Sequence, residues 1–249
     1  MKTSDMVKAT VESGITPIVL DFDKVVFFEE ERPVCRTLLR INSLELGTLT
    51  YSQYRFVARR TKQGNHLVRR HLEKLFRIIP QLMEKGVANV FTVPVYARLL
   101  AGGELAAMLI DAFSLFPEVT PSSICIELSA DVLYEDLAAA REGMEQLRGL
   151  GVKIAICEVG DEFCPVFRLA ELPFDYAFID SFATASLSRE DSERVAGSLV
   201  QYLHYLKAKV IAPSLKKQAE IDEAARVGLD GYTVEVDPFE QEVADGEEV

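Results

Sequence analysis

From residue 87 to residue 236 the chain alternates short apolar runs with longer stretches that carry apolar side chains on one helical face. No other feature limits the possible folds so strongly. Runs at 87–95, 123–128, 152–157, 176–179, 209–212 and 231–236 read as strands; 104–116, 131–150, a stretch ending at Leu206, and 215–227 read as helices. Several of these strands are apolar throughout, which is the pattern of a strand covered on both faces. Such strands in alternation with helices predict a parallel sheet, closed into a barrel or wound on both sides. The 249 residues, 49% of them hydrophobic, suffice for one such barrel or two small domains, and no linker or fixed-period repeat divides the chain.

The first 86 residues are less regular. An apolar run at 15–20 precedes an expected turn at Asp21 to Lys24, and runs at 25–28 and 35–41 read as two strands around an acidic, Pro-containing bend. Val68, Leu72, Leu75, Ile79 and Leu82 form a helical stripe, with Pro80 inside it as a kink or an early end and Gly86 as its close. Residues 1–14 are polar and lack the apolar stretch of a signal peptide. From Asp237 the chain is acidic and expected to fray, with a disordered tail over 240–249. The domain is therefore expected over 15–239.

Charge excludes some partners. A net charge of −12 repels nucleic-acid backbones and anionic membrane surfaces. The longest apolar candidate span, near 105–116, is interrupted by Asp111, so a cytoplasmic protein is expected. Four cysteines without a CxxC pair and three scattered histidines give little support to a zinc site. Against the acidic background, Arg59, Arg60, Lys62, Arg69, Arg70, Lys74 and Arg77 concentrate positive charge, with Glu73 the one carboxylate among them. This reads as the solvated face of a helix, or as a docking face for an acidic partner protein.

Val19-Leu20-Asp21-Phe22-Asp23-Lys24-Val25 resembles the nucleophile loop of haloacid-dehalogenase-type phosphatases, in which the first Asp attacks phosphorus and the second is the general acid. The downstream acidic pair that this chemistry needs has only Gly160-Asp161-Glu162 as a poor candidate, and a simple turn explains the same residues.

A longer pattern covers nearly the whole chain. Thr16-Pro17-Ile18-Val19, Arg36-Thr37-Leu38-Leu39-Arg40, Phe91 to Tyr96, Ile126-Glu127-Leu128-Ser129, the run LRGLGVKIAI from Leu147, and Leu172 to Asp180 follow one another in the order and spacing of the EAL family of cyclic di-GMP phosphodiesterases. This resemblance implies a TIM-like (β/α) barrel with an irregular opening hairpin, and a site at the C-terminal ends of its strands. It also implies one or two divalent cations on carboxylates. The chain departs from the family there. Arg36 stands at the signature Glu, Pro94 at an Asn ligand, Cys157 and Glu158 at a paired Asp-Asp, Phe178 at a Lys, Pro213 at a Glu and Thr233 at a Gln. Glu127, Arg40 and Asp180 match. Read this way, the chain is expected to hold no metal or other cofactor and to be no enzyme, but a regulator of motility, attachment or envelope processes that acts through a protein partner. A cyclic di-GMP receptor is the alternative, with Arg36, Arg40, Glu127, Glu158 and Asp180 as ligand contacts, or with Arg36 pairing internally to Glu127 or Glu158. The family resemblance also allows a homodimer.

Overall fold

The computed structural model describes residues 3–13, 16–29, 31–161, 164–180 and 190–239. Eight strands form a closed ring. β2 (Val34–Ser43), β4 (Val90–Val95), β5 (Ile124–Ser129), β6 (Lys153–Val159), β7 (Tyr176–Ile179), β8 (Lys209–Ala212) and β9 (Gly231–Val236) are parallel in that order. β1 (Ile18–Phe27) closes the ring, antiparallel to both β2 and β9, and the short β3 (Gly47–Leu49) hangs on β2. The helices are α1 (Thr3–Ser13), α2 (Tyr51–Ala58), α3 (Lys62–Phe76), α4 (Ile79–Glu84), α5 (Glu104–Leu115), α6 (Leu137–Gly149), α7 (Glu190–Tyr205) and α8 (Gln218–Arg226). Parallel strands need crossovers, and these helices supply them except from β6 to β7, where the described residues hold a 3-10 helix over Val166–Glu171. This is the TIM-like barrel that the sequence predicts.

Side chains alternate across each strand, so the fully apolar strands feed two cores. Inside the ring, Val25, Val34, Val90, Cys125, Ala155, Tyr176, Phe178 and Ile211 pack together. Outside it, Leu39, Phe91, Ile126, Ile154 and Val210 meet α3, α5 and α6 through residues such as Leu72, Leu109 and Met144. Gly231 must be a glycine: a Cβ there would lie 2.5 Å from the Val26 carbonyl oxygen of the neighbouring strand. Tyr54 of α2 donates its hydroxyl to the Leu39 carbonyl at 2.7 Å, which fixes α2 against β2.

Several expectations are corrected. No turn interrupts 21–24; β1 continues through them because Asp21 and Asp23 find Arg40 and Arg36 on the adjacent strand. The hairpin bend lies between Phe27 and Val34, within a residue of where the sequence places it. The helix expected from residue 131 starts at Leu137, where Asp136 accepts hydrogen bonds from the Ala138 and Ala139 amides at 3.0 and 3.2 Å; residues 130–134 form a 3-10 turn. The helix expected from 215 starts at Gln218. The 68–82 stripe is split between α3 and α4, with Pro80 in the first turn of α4, where its missing N–H costs nothing. Residues 3–13 form α1, which buries Val7 and Val11. The chain does not fray at Asp237: Phe239 meets Phe22 edge-on with centroids 6.1 Å apart, and Lys85 donates to the Pro238 carbonyl at 3.1 Å. The tail expected over 240–249 lies outside the described residues. No helix among the described residues is long and apolar enough to cross a membrane.

One buried polar chain joins α3 to the ring. Thr37 Oγ1 donates to the Thr92 carbonyl at 2.5 Å and lies 2.7 Å from His71 Nε2. The hydroxyl has a single hydrogen, so His71 must donate through Nε2. Burial lowers the imidazole to about 3, which keeps it neutral. The folded-state value lies below the unfolded one, so this contribution is present above pH 6.5 and is lost as pH falls. Urea unfolding at pH 7 and pH 5 should therefore show about 2 kcal/mol lost in the wild type beyond any loss in His71→Gln. Equal losses in both would refute this assignment.

Candidate functional site

The C-terminal end of the ring opens into a cleft of about 380 Å³, over which α2 leans with Tyr51, Ser52 and Arg55. Its floor is the pair Arg36–Glu127. Arg36, near the start of β2, donates from Nε to Glu127 Oε2 at 2.9 Å and from Nη2 to Oε1 at 2.5 Å. The guanidinium also stacks on Phe178, with Cζ 4.4 Å from the ring centroid. Glu127 is 1% exposed and takes a further hydrogen bond from Thr92 Oγ1 at 3.1 Å. Burial alone would raise its pKa; Arg36 with the Thr92 and Cys157 hydrogen bonds more than offsets this and holds it below the usual carboxylate value. Beside it, burial and the nearby Glu127 charge push the Cys157 thiol well up.

A second layer of charge surrounds the pair. Asp23 faces Arg36 on one side and Glu235 on the other in the strand register. Asp21 contacts Arg40, with Nε 2.6 Å from Oδ1. Burial raises both Asp21 and Asp23, against the pull of Arg40 and Arg36, and Glu235 adds to the rise. On the far side Glu158, at the end of β6, has φ of 62°, a left-handed conformation that is strained for a side chain of this kind. It accepts from Ser129 Oγ at 2.5 Å and forms an ion pair with Arg55 of α2. Asp180, just after β7, lines the same cleft, and its amide donates to the Val159 carbonyl at 2.8 Å.

Two donors in this arrangement are not met by a well-directed acceptor. The Nε atoms of Arg40 and Arg55 are buried and make no hydrogen bond, because the close Asp21 contact lies off the N–H direction of Arg40. A buried donor left unmade costs about 1–3 kcal/mol, so it calls for an explanation.

The structure thus brings Arg36, Glu127, Glu158 and Asp180 to one cleft, while Arg40 lines an adjoining pocket that shares Asp21 and Glu235 with it. It engages part of the cationic run internally. Arg59 turns to Asp131 at 2.6 Å, Arg70 donates to the Thr16 carbonyl at 2.9 Å, and Lys74 donates to the Ile18 carbonyl at 2.7 Å. Arg60, Lys62, Arg69 and Arg77 are exposed. Arg55, Tyr51 and Glu235 were not singled out in the sequence, and Asp23 was singled out there for a different chemistry.

The phosphatase reading of Asp21 and Asp23 is corrected by this geometry. Both lie within an antiparallel strand rather than on a loop that leads into a helix, and Asp21 is held by Arg40. A divalent cation does not fit the donor set in this arrangement either. Both Glu127 oxygens are bound by Arg36, and among the described residues no three His, Cys, Asp or Glu side chains form a metal-holding group.

The chain matches the family model described as the EAL domain over residues 19–233, and it belongs to that family. An uncharacterized protein of Mycobacterium tuberculosis is 30% identical over 110 residues, which cover 44% of this chain and 17% of that longer protein. The cyclic di-GMP phosphodiesterase PdeB of Shewanella oneidensis is 23% identical over 121 residues, 47% of this chain and 14% of PdeB. Matches thus span less than a fifth of these curated relatives' lengths. The PaMucR phosphodiesterase, solved in complex with cyclic di-GMP, superposes with a TM-score of 0.77 at 21% identity over 92% of this chain and 93% of that one, a likeness of fold.

These findings overturn the expectation that the chain is no enzyme. Its family match includes the strands that carry the site, and PdeB and PaMucR are both named phosphodiesterases.

The buried pair carries its own prediction. Arg36→Ala should destabilise the protein by about 3–5 kcal/mol in urea unfolding, because it leaves Glu127 charged and alone; Arg36→Met with Glu127→Leu should cost much less. A double variant as unstable as the single would show that the loss is one of packing and not of charge.

Proposed function

We propose that this chain is a cytoplasmic domain of cyclic di-GMP signalling, its working unit the barrel over residues 15–239, and that it takes up the cyclic dinucleotide at the open end of the ring. The observation that carries the reading is the buried Nε of Arg55 at the cleft, which makes no hydrogen bond, with the Arg40 guanidinium in the adjoining pocket that shares Asp21 and Glu235. A phosphodiester supplies an anionic oxygen that such an N–H can meet in line, and Arg is suited to phosphate by its planar fork of donors. Tyr51 and the Arg36 guanidinium plane, which is backed by Phe178, give the flat surfaces that a purine needs. Support also comes from the family and from the named ligand of the PaMucR complex.

Binding has to compete with carboxylates, since the cleft is lined by Asp21, Asp23, Glu127, Glu158, Asp180 and Glu235. Asp21 and Asp23 have raised pKa values, so they gain protons at a higher pH than free carboxylates. Affinity for a phosphodiester should therefore rise as pH falls from 7 toward 5. A regulatory output through a protein partner follows the same reading, with the exposed Arg60, Lys62, Arg69 and Arg77 as the surface for an acidic one.

Calorimetric titration with cyclic di-GMP, with and without Mn²⁺, tests this directly, and chromatography of the same samples reports whether the ring is opened. Saturable heat is expected, weakened about tenfold or more by Arg40→Ala. Absence of binding at millimolar ligand would overturn the proposal. An affinity unchanged between pH 7 and pH 5 would remove the role given to Asp21 and Asp23.

A further inference from the structure

Among the groups at the cleft, Arg55 and Glu158 combine three features that internal packing leaves unexplained. Glu158 keeps a left-handed backbone, with φ of 62°, although neither Gly nor Asn stands there. That strain directs its carboxylate to Ser129 Oγ and to the Arg55 guanidinium. Arg55 answers with its terminal nitrogen, while its Nε stays buried without an acceptor. Were the pair a structural staple alone, a two-pronged contact with both Nε and a terminal nitrogen would be the stable form, as Arg36 achieves with Glu127.

We propose that Arg55 is a phosphate-contacting residue of the cleft, held in a waiting position by Glu158; the inference rests on the dinucleotide reading above. When a phosphodiester enters, the guanidinium exchanges a one-pronged carboxylate for an oxygen that its Nε also reaches. Ser129 continues to hold Glu158, so the released carboxylate keeps a partner. Because Arg55 sits on α2, the exchange is felt on the outside of the molecule. Its Cζ lies 4.5 Å from the ring centroid of the half-exposed Phe56, and Arg59 covers the same ring from 5.0 Å while tied to Asp131. Loss of one cation from that ring marks occupancy of the cleft on an exposed surface.

The chain has no tryptophan, so Phe56→Trp gives a single-site reporter. Calorimetry on otherwise wild-type protein should show Arg55→Ala binding cyclic di-GMP about tenfold more weakly and Glu158→Gln binding it several-fold more tightly, since the competitor is gone. In the Phe56→Trp background, ligand addition and the Glu158→Gln change should shift the emission in the same direction. Intact binding with no effect of Arg55→Ala, or with Glu158→Gln no tighter, overturns the role of Arg55 and leaves the dinucleotide reading standing. If the wild type binds nothing, that reading fails. The waiting position is then judged by emission alone, and an unchanged signal in Glu158→Gln refutes it. Circular dichroism of each variant separates these outcomes from misfolding.

Discussion

Closure of the ring by β1 is the constraint on which the rest depends. Seven parallel strands would leave two open edges, and an open edge with apolar faces invites association. β1 removes both edges by running against β2 on one side and β9 on the other. To do so it must carry Asp21 and Asp23 into the open end of the ring, beside strands that also bring Glu127 and Glu235. Four carboxylates in one mouth are tolerable only if cations stand among them, and Arg36 and Arg40 on the adjacent strand are those cations. The fold and the electrostatics of the site are thus a single problem with a single solution.

The site differs from a typical polar pocket in how its charges are matched. Arg36 and Glu127 satisfy each other fully, with two hydrogen bonds, a ring beneath the guanidinium and two further donors on the carboxylate. Such a pair contributes little net stability compared with an apolar filling, yet it resists the removal of either member. The outer pairs, Arg40–Asp21 and Arg55–Glu158, are one-sided. A rigid centre with adaptable margins is an arrangement suited to holding a ligand at its edges.

Much of the architecture was legible in the sequence, and the gaps have physical causes. β7, β8 and β9 fall on their apolar runs to the residue, because a short buried strand cannot extend into the polar residues that bound it. β1 was misread since Asp, Lys and Asp signal a turn locally, while their partners lie over a dozen residues away. The pairing of Arg36 with Glu127 could be anticipated from the family pattern, which sets a cation where carboxylates gather, although the sequence left Glu158 as an equal partner. Arg55 was invisible for another reason. Whether a helical cation meets water or a cleft depends on how α2 seats on β2, and that seating is set by Tyr54 and the Leu39 carbonyl. No local pattern encodes the left-handed turn of Glu158.

The hydrogen-bond chain from His71 has a direction, and the direction has a consequence. His71 gives its hydrogen to Thr37, and Thr37 gives its own to a backbone carbonyl, which has no proton to pass on. Polarisation can run along this path from α3 to the floor of the cleft, but a proton cannot. Along this path α3 and the ring are coupled without a proton wire.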